Sequence, residues 1–137
     1  MDEVTYESPL DKYKNKFKEI SSSSLSIRSI GFIGQINLRF KKDNIEKIKN
    51  ITKLNFSNSM DTYSCSGKWS TLCLGPDEWL LIGPLEEKND LIAMFNSLDF
   101  QDNISCVDVS FNRIGINIEG EKVIEFIRSL SNIDKKY

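Results

Sequence analysis

Side chains able to do chemistry are few in this sequence of 137 residues, which has three cysteines and no histidine. Histidine is the commonest general base near neutral pH and the commonest metal ligand, so its absence excludes Ser–His and Cys–His nucleophile pairs and mixed Cys/His zinc sites. Cys65, Cys73 and Cys106 include no Cys-x-x-Cys pair, which makes an iron–sulfur site a poor fit. We expect buried or half-buried thiols that pack as small hydrophobic groups.

The carboxylates with informative neighbours are Asp77, Glu78 and Asp108. Asp77 and Glu78 are adjacent, so on an extended chain they point to opposite faces, and we interpret them as a turn aspartate and a solvated glutamate. Asp108 and Ser110 lie two apart on a predicted strand and share a face. Arg113 follows a predicted turn and could return to pair with Asp108. This set is either a polar clamp that fixes the hairpin or an anchor for a ligand or partner.

Two tryptophans flank the turn-forming residues Gly75-Pro76-Asp77. Tryptophan is common both in cores and at interface hot spots. Trp79 opens a continuous apolar run and is predicted to lie in the core. Trp69 follows Gly67 and Lys68 and is the better surface candidate.

Hydrophobic periodicity predicts the elements that position these residues. A short polar helix is expected between Asp11 and Ile20, and alternation predicts two strand pieces between residues 25 and 40, with a bend at Gly31–Gly34. Asp43 and Glu46 are spaced like a capping box that begins a helix ending near residue 55. The remaining elements are a turn-rich stretch over 56–70, strands at 71–74, 79–82, 104–110 and 114–118, and helices near 91–98 and after Gly120.

This order, β-β-α repeated three times, predicts an α+β fold of mostly antiparallel strands with helices on one face. We expect an irregular N-terminal segment over residues 1–24 and a single α+β domain over 25–137. The glycines form neither G-x-G-x-x-G nor G-x-x-x-x-G-K, so no nucleotide site is predicted.

Charge and hydropathy limit the possible partners and location. The net charge of −2 gives no basic excess, so we expect no nucleic-acid binding. No run of about 18 apolar residues occurs, so no transmembrane helix is expected. The first seven residues are acidic where a signal peptide would be basic, and we expect a cytoplasmic protein.

One nine-residue segment resembles a known family. Residues 74–82, LGPDEWLLI, resemble the LGPDEWLL signature of the gamma subunits of heterotetrameric sarcosine oxidase. Shorter similarities agree in order along the chain: Ser8-Pro9-Leu10, the strand Gln35–Arg39, Val107–Ser110 followed by Arg113, and then Gly120 and Asp134.

The resemblance implies a fold similar to the folate-binding domain of aminomethyltransferases (the T-protein of the glycine-cleavage system). It implies a subunit with no catalytic, cofactor-binding or metal residue of its own, in a complex with alpha, beta and delta subunits. FAD, FMN, NAD and tetrahydrofolate are expected in those partners, which oxidise sarcosine to glycine and pass a one-carbon unit to folate. The expected supports of the docking surfaces are Ser8, Pro9, Leu10, Trp69, Pro76, Asp77, Glu78, Trp79, Asp108, Ser110 and Arg113.

Members of that family usually continue past the position of Asp134 by several strands and a helix. We therefore expect a sheet edge or apolar face that a partner subunit or a second copy covers. Two other functions stay open. The first is a stand-alone folate-binding protein, for which Trp69, Tyr63 and Glu78 could contact the pteridine, and the second is a homodimeric structural protein.

Overall fold

The computed structural model of the chain describes residues 7–98 and 104–131. In chain order the elements are α1 (Lys14–Ile20), β1 (Ser26–Gly31), β2 (Gly34–Arg39), α2 (Ile45–Thr52), β3 (Tyr63–Ser66), β4 (Trp69–Gly75), β5 (Glu78–Gly83), α3 (Lys88–Asn96), β6 (Ser105–Asp108), β7 (Gly115–Glu119) and α4 (Val123–Leu130). All strand pairs among these residues are antiparallel. The predicted α+β class is confirmed.

The chain divides into two compact units. We call residues 32–113 the central unit, and residues 1–31 with 114–137 the terminal unit. Whether residues 25–137 form one domain stays a prediction. No helix in the described ranges is long and apolar enough to cross a membrane, and the cytoplasmic location also stays a prediction.

The central unit is a five-stranded sheet in the order β3-β4-β5-β2-β6. Ile36 and Leu38 of β2 alternate inward and meet Leu81 and Trp79 of β5 across the ladder. Ile48 of α2 and Leu91 and Phe95 of α3 belong to the same core cluster. Both helices of this unit therefore cover the same face of the sheet, and β5 lies at its centre, as its continuous apolar run predicts.

Strand pairing at β6 differs from the prediction. We expected β6 and β7 to form a hairpin, but β6 pairs with β2 and β7 pairs with β1. Beyond β6, the Val109 N–H donates to the Gln35 carbonyl at 2.9 Å, so the chain continues along β2 instead of folding back. The turn-rich stretch over 56–70 also contains a strand that was not predicted, β3, because its polar residues Tyr63–Ser66 lack an apolar alternation.

The predicted capping box of α2 is wrong. A 3-10 turn over Lys42–Asn44 continues into the helix, so Asp43 lies inside a helical turn and the N-cap residue Asn44 makes no side-chain capping bond. The helix ends at Thr52, earlier than expected, because Lys53 takes a left-handed conformation with φ of 62°.

In the terminal unit, β1 and β7 form a two-stranded sheet. The polar helix expected between Asp11 and Ile20 is present as a 3-10 turn followed by α1, so residues 7–24 are not wholly irregular. At its end β1 bends at Gly31, whose φ of 67° suits glycine, and this agrees with the predicted bend. Residues 1–6 and Asp134 lie outside the described residues.

Candidate functional site

The signature segment, residues 74–82, forms the end of β4, the turn and most of β5 in the β4–β5 hairpin of the central unit. Pro76 and Asp77 make its turn between the paired residues Gly75 and Glu78. Asp77 has a φ of 63°, a left-handed conformation that aspartate tolerates better than most residues. Its carboxylate accepts a hydrogen bond from the Lys42 backbone N–H at 2.7 Å. The predicted turn aspartate is thus present, and it also ties the hairpin to the start of α2.

Glu78 has more partners than a solvated glutamate would have. Its Oε1 accepts a hydrogen bond from Asn37 Nδ2 at 3.0 Å and an ion-pair contact from Arg39 Nη2 at 3.0 Å. The hydrogen bond from Asn37, followed by that from Arg39, lowers the pKa of Glu78. All three side chains lie on the sheet face opposite the core cluster, because they pair across β2 and β5 at alternate positions to Leu38 and Trp79. The prediction of a merely solvated Glu78 is wrong.

A shallow cleft of about 320 Å³ opens beside this hairpin. This volume is at the lower end of small-molecule sites, enough for one or two side chains of a partner. The cleft combines two cations with two carboxylates, and it is lined by Arg39, Phe40, Lys41, Pro76, Asp77 and Glu78.

Asp108 pairs with Lys88 and not with Arg113 as predicted. Lys88 Nζ forms a close, part-buried ion pair with Asp108 Oδ2, and the Ser110 backbone N–H donates to Asp108 Oδ1 at 3.0 Å. Burial raises the pKa of Asp108, but hydrogen bonds from Lys88 and Ser110 outweigh it and hold that pKa below its usual value. Arg113 contributes its carbonyl, which accepts from Gln35 Nε2 at 3.4 Å. Lys88 replaces Arg113 in the pair because it begins α3, which packs beside β6.

Ser110 completes the clamp from a fully buried position. Its hydroxyl accepts a hydrogen bond from the Gln35 N–H at 2.9 Å and donates one to the Gln35 carbonyl at 3.2 Å. The Ser110 side chain thus bonds to the backbone of Gln35 as a neighbouring strand would. Lys88 Nζ also lies 4.7 Å from the centroid of the Phe111 ring. Every polar group in this cluster therefore has a protein partner, which favours the structural interpretation of the Asp108–Ser110 set over a ligand anchor. Sequence reasoning missed the roles of Lys88 and Gln35: Lys88 stands in no recognisable motif, and the segment Gln35–Arg39 was noted only as a strand.

Both tryptophans are buried. Trp79 is 1% exposed, stacks on Phe40 with ring centroids 4.3 Å apart, and donates its indole N–H to the Ser57 carbonyl at 2.9 Å. Trp69, which we expected on the surface, is only 7% exposed and packs against Gly83 in the core. The expectation failed because Gly67 and Lys68 form the tight β3–β4 turn, after which alternation directs Trp69 inward.

Ser8, Pro9 and Leu10 form a local cap in the terminal unit. The Ser8 hydroxyl accepts from the Leu10 N–H at 3.2 Å, and the Asp11 carboxylate accepts from the Ser8 N–H at 3.3 Å. This reciprocal pattern begins the 3-10 turn that leads into α1. The hydrogen bonds of Ser8 therefore give this segment a structural role at the start of a helix.

Apart from the two buried tryptophans, the candidate residues of the central unit belong to two separate places. The hairpin cleft lies at the Arg39 end of β2 and the clamp at its Gln35 end, roughly 14 Å apart along the strand.

The cysteines do not join either place as a metal site. Cys73 is buried, Cys106 is half-buried and Cys65 is exposed, so the expectation of buried thiols holds for two of them. Burial, with a smaller effect of Asp108, raises the pKa of Cys106 to about 11. In the described part of the chain, no three potential ligands among cysteine, aspartate and glutamate are grouped for a metal ion.

Comparison with known proteins gives a fold relative and no family. No family model matches the sequence, and no curated protein matches it. One chain in the structure of heterotetrameric sarcosine oxidase from Corynebacterium sp. U-96, in complex with pyrrole 2-carboxylate, superimposes with a TM-score of 0.79 at 20% sequence identity. The match covers 94% of this chain and 68% of that chain. At this identity the likeness establishes a shared fold.

Proposed function

We propose that this chain is a non-catalytic accessory subunit, of the gamma type, in a sarcosine-oxidase-like complex. The observation that carries the proposal is the fold likeness over 94% of the chain to a chain of a heterotetrameric sarcosine oxidase. The resemblance of residues 74–82 to the gamma-subunit signature supports the same proposal independently of that likeness.

The chemistry of the two candidate places supports an accessory role. Glu78 is engaged by Asn37 and Arg39, and Asp108 is engaged by Lys88 and Ser110. These contacts lower the pKa of both carboxylates, and a carboxylate with a lowered pKa is a weak general base near neutral pH. Each pair instead holds elements of the sheet in place and shapes the surfaces beside them.

The proposed partners are alpha, beta and delta subunits, which hold FAD, FMN, NAD and tetrahydrofolate and oxidise sarcosine with one-carbon transfer to folate. This chain contributes surface and stability to that assembly. Its own residues then need only fold correctly and present a complementary face.

Co-expression tests the proposal. The chain is produced with the alpha, beta and delta subunits from the same source, and the complex is captured through a tag on alpha and then sized. We expect the chain to co-elute at equal stoichiometry and the yield of soluble complex to exceed that of the three partners alone. Elution of the chain by itself, with the yield and sarcosine oxidation of the partners unchanged by its presence, would contradict the proposal.

The folate-binding alternative loses its proposed site. Tyr63 and Glu78 lie on the sheet face opposite the core cluster, whereas Trp69 is buried within that cluster. The three side chains therefore cannot form one wall around a pteridine ring. Titration with tetrahydrofolate, followed by tryptophan fluorescence, tests the alternative, and we expect no saturable quenching. The homodimer alternative is tested by sizing the isolated chain.

A further inference from the structure

The charges of the central unit are unevenly distributed along the sequence. Between residues 39 and 53 there are six basic residues and two acidic ones, a net charge of +4. The whole chain carries −2, so the rest of the sequence carries −6. A strongly basic segment in an acidic chain has a local field opposite to that of its surroundings, and such asymmetry favours a specific, oppositely charged partner.

The lysines of this segment are all on the surface. Lys41 and Lys42 lie at the turn before α2, Lys47 and Lys49 on the helix, and Lys53 at its end, and all five are exposed. We call them the basic surface. Within the described ranges, Lys42 and Lys49 have no ion pair. Ile51, one helical turn after Lys47 on α2, is 47% exposed and adds an apolar side chain beside that lysine.

The basic surface adjoins the hairpin cleft at Lys41 and Lys42. Lys41 lines the cleft, and the neighbouring Lys42 binds the turn residue Asp77 through its backbone N–H. The Asp77 carboxylate thus fixes the start of α2 against the hairpin, so cleft and lysines keep one relative geometry. Within the cleft, Arg39 already neutralises Glu78. Lys42 and Lys49, which have no ion pair within the described ranges, are left to attract an incoming chain.

We propose that the basic surface and the hairpin cleft together bind an acidic segment of a partner subunit, with one side chain in the cleft and carboxylates along α2. This inference rests on the proposed function and identifies the face that docks. A protein partner is favoured over a nucleic acid, because the chain as a whole is acidic and repels a polyanion outside this face. An acidic protein segment presents only a short run of charge.

Charge reversal tests the inference in the assembled complex. The double variant Lys42→Glu/Lys49→Glu changes the net charge by −4 at two exposed residues. The control, Lys16→Glu/Lys18→Glu, makes the same change at two exposed residues of α1. Binding of each to immobilised alpha, beta and delta subunits is measured at low and high salt, with thermal unfolding as the check on folding. We expect the first variant to bind at least about tenfold more weakly and the control to remain within about twofold of the unaltered chain.

Salt provides a second readout that needs no variant. Affinity of the unaltered chain should fall as ionic strength rises, because the attraction is between exposed charges, and the Lys42/Lys49 variant should lose most of this salt dependence. Equal affinity of both variants, or salt-independent binding of the unaltered chain, would overturn the inference while leaving the proposed function intact. If the unaltered chain does not bind the partners at all, both fail. Tighter binding of the chain to duplex DNA than to the subunits, lost in the Lys42/Lys49 variant, would overturn the assignment to a protein partner.

Discussion

Gly83, at the end of β5, has no room for even one methyl group. A Cβ at this position would lie 2.4, 2.5 and 2.8 Å from the Cδ2, Cε3 and Cε2 atoms of the Trp69 indole. Carbon atoms in contact normally stay 3.5–4.0 Å apart, so the ring would have to move by about 1 Å. Trp69 is buried in the core cluster, and the close packing of protein interiors opposes such a movement.

We therefore expect Gly83→Ala to lower the free energy of unfolding by about 1–2 kcal/mol. Overpacking a core destabilises a protein by about 1–3 kcal/mol. Replacing glycine by alanine also reduces the conformational entropy of the unfolded chain, which stabilises the folded state by roughly 0.4–1 kcal/mol. Equilibrium unfolding in urea, followed by circular dichroism, measures the difference. The matched control is Gly75→Ala, because a Cβ on Gly75 meets nothing within 4 Å. That variant should be as stable as the unaltered chain or slightly more stable.

A double-mutant cycle locates the cause. In a Trp69→Leu background the obstructing ring is gone, so Gly83→Ala should cost less there than it does alone, with a coupling of at least about 0.5 kcal/mol. If Gly83→Ala is neutral in the unaltered chain, or equally costly with and without the indole ring, the packing of Trp69 on Gly83 does not limit this site and the reasoning is refuted.

Two further predictions concern the hairpin and the clamp. Asp77→Ala should lower the free energy of unfolding in urea by about 1–2 kcal/mol, because alanine adopts a positive φ poorly and cannot accept a hydrogen bond from the Lys42 N–H. The stability of Asp77→Gly should lie between those of the unaltered chain and Asp77→Ala, because glycine adopts the positive φ but also lacks the acceptor. Equal losses for both variants would contradict this account. Asp108 has a lowered pKa in the folded state, so its stabilising effect is present above about pH 4 and is lost as the pH falls through that lowered pKa. Asp108→Asn should therefore be less stable than the unaltered chain at pH 7, with a difference that shrinks at pH 3; a difference independent of pH would show that the carboxylate charge is not what stabilises the clamp.

The strands and helices were largely readable from the sequence where one face of an element is apolar. Ile36 and Leu38 alternate with polar residues and do form a half-buried strand, and Leu91 and Phe95 at helical spacing do face the core. β3 was missed because Tyr63 and Cys65 are exposed on one face and its other face presents two serines, which leaves no periodic signal. The spacing of apolar residues along a sequence indicates which side chains are buried, and a strand at a polar edge of a sheet buries few of them.

The polar contacts were predicted less well than the elements. Asp108 was recognised as a residue that needs a cation, yet the cation is Lys88, 20 residues before it in the chain and not in the adjacent turn. Trp69 was placed on the surface from its polar neighbours, yet it is buried because the turn at Gly67 and Lys68 sets its direction. The partner of Asp108 is distant along the chain, and the direction of Trp69 is set by how the turn before it pairs β3 with β4.

The sequence by itself determined the α+β class, the Pro76–Asp77 turn, the burial of Trp79 and the absence of histidine chemistry. These follow from local properties: apolar period, proline and aspartate turn preferences, and the presence or absence of a side chain. Only the tertiary structure decided that β6 pairs with β2, that Lys88 neutralises Asp108, and that Arg39 and Lys41 line the cleft of the signature hairpin. Those outcomes depend on which strand edges and side chains meet after the sheet has formed, and loop closure over tens of residues leaves no short-range pattern from which to read them.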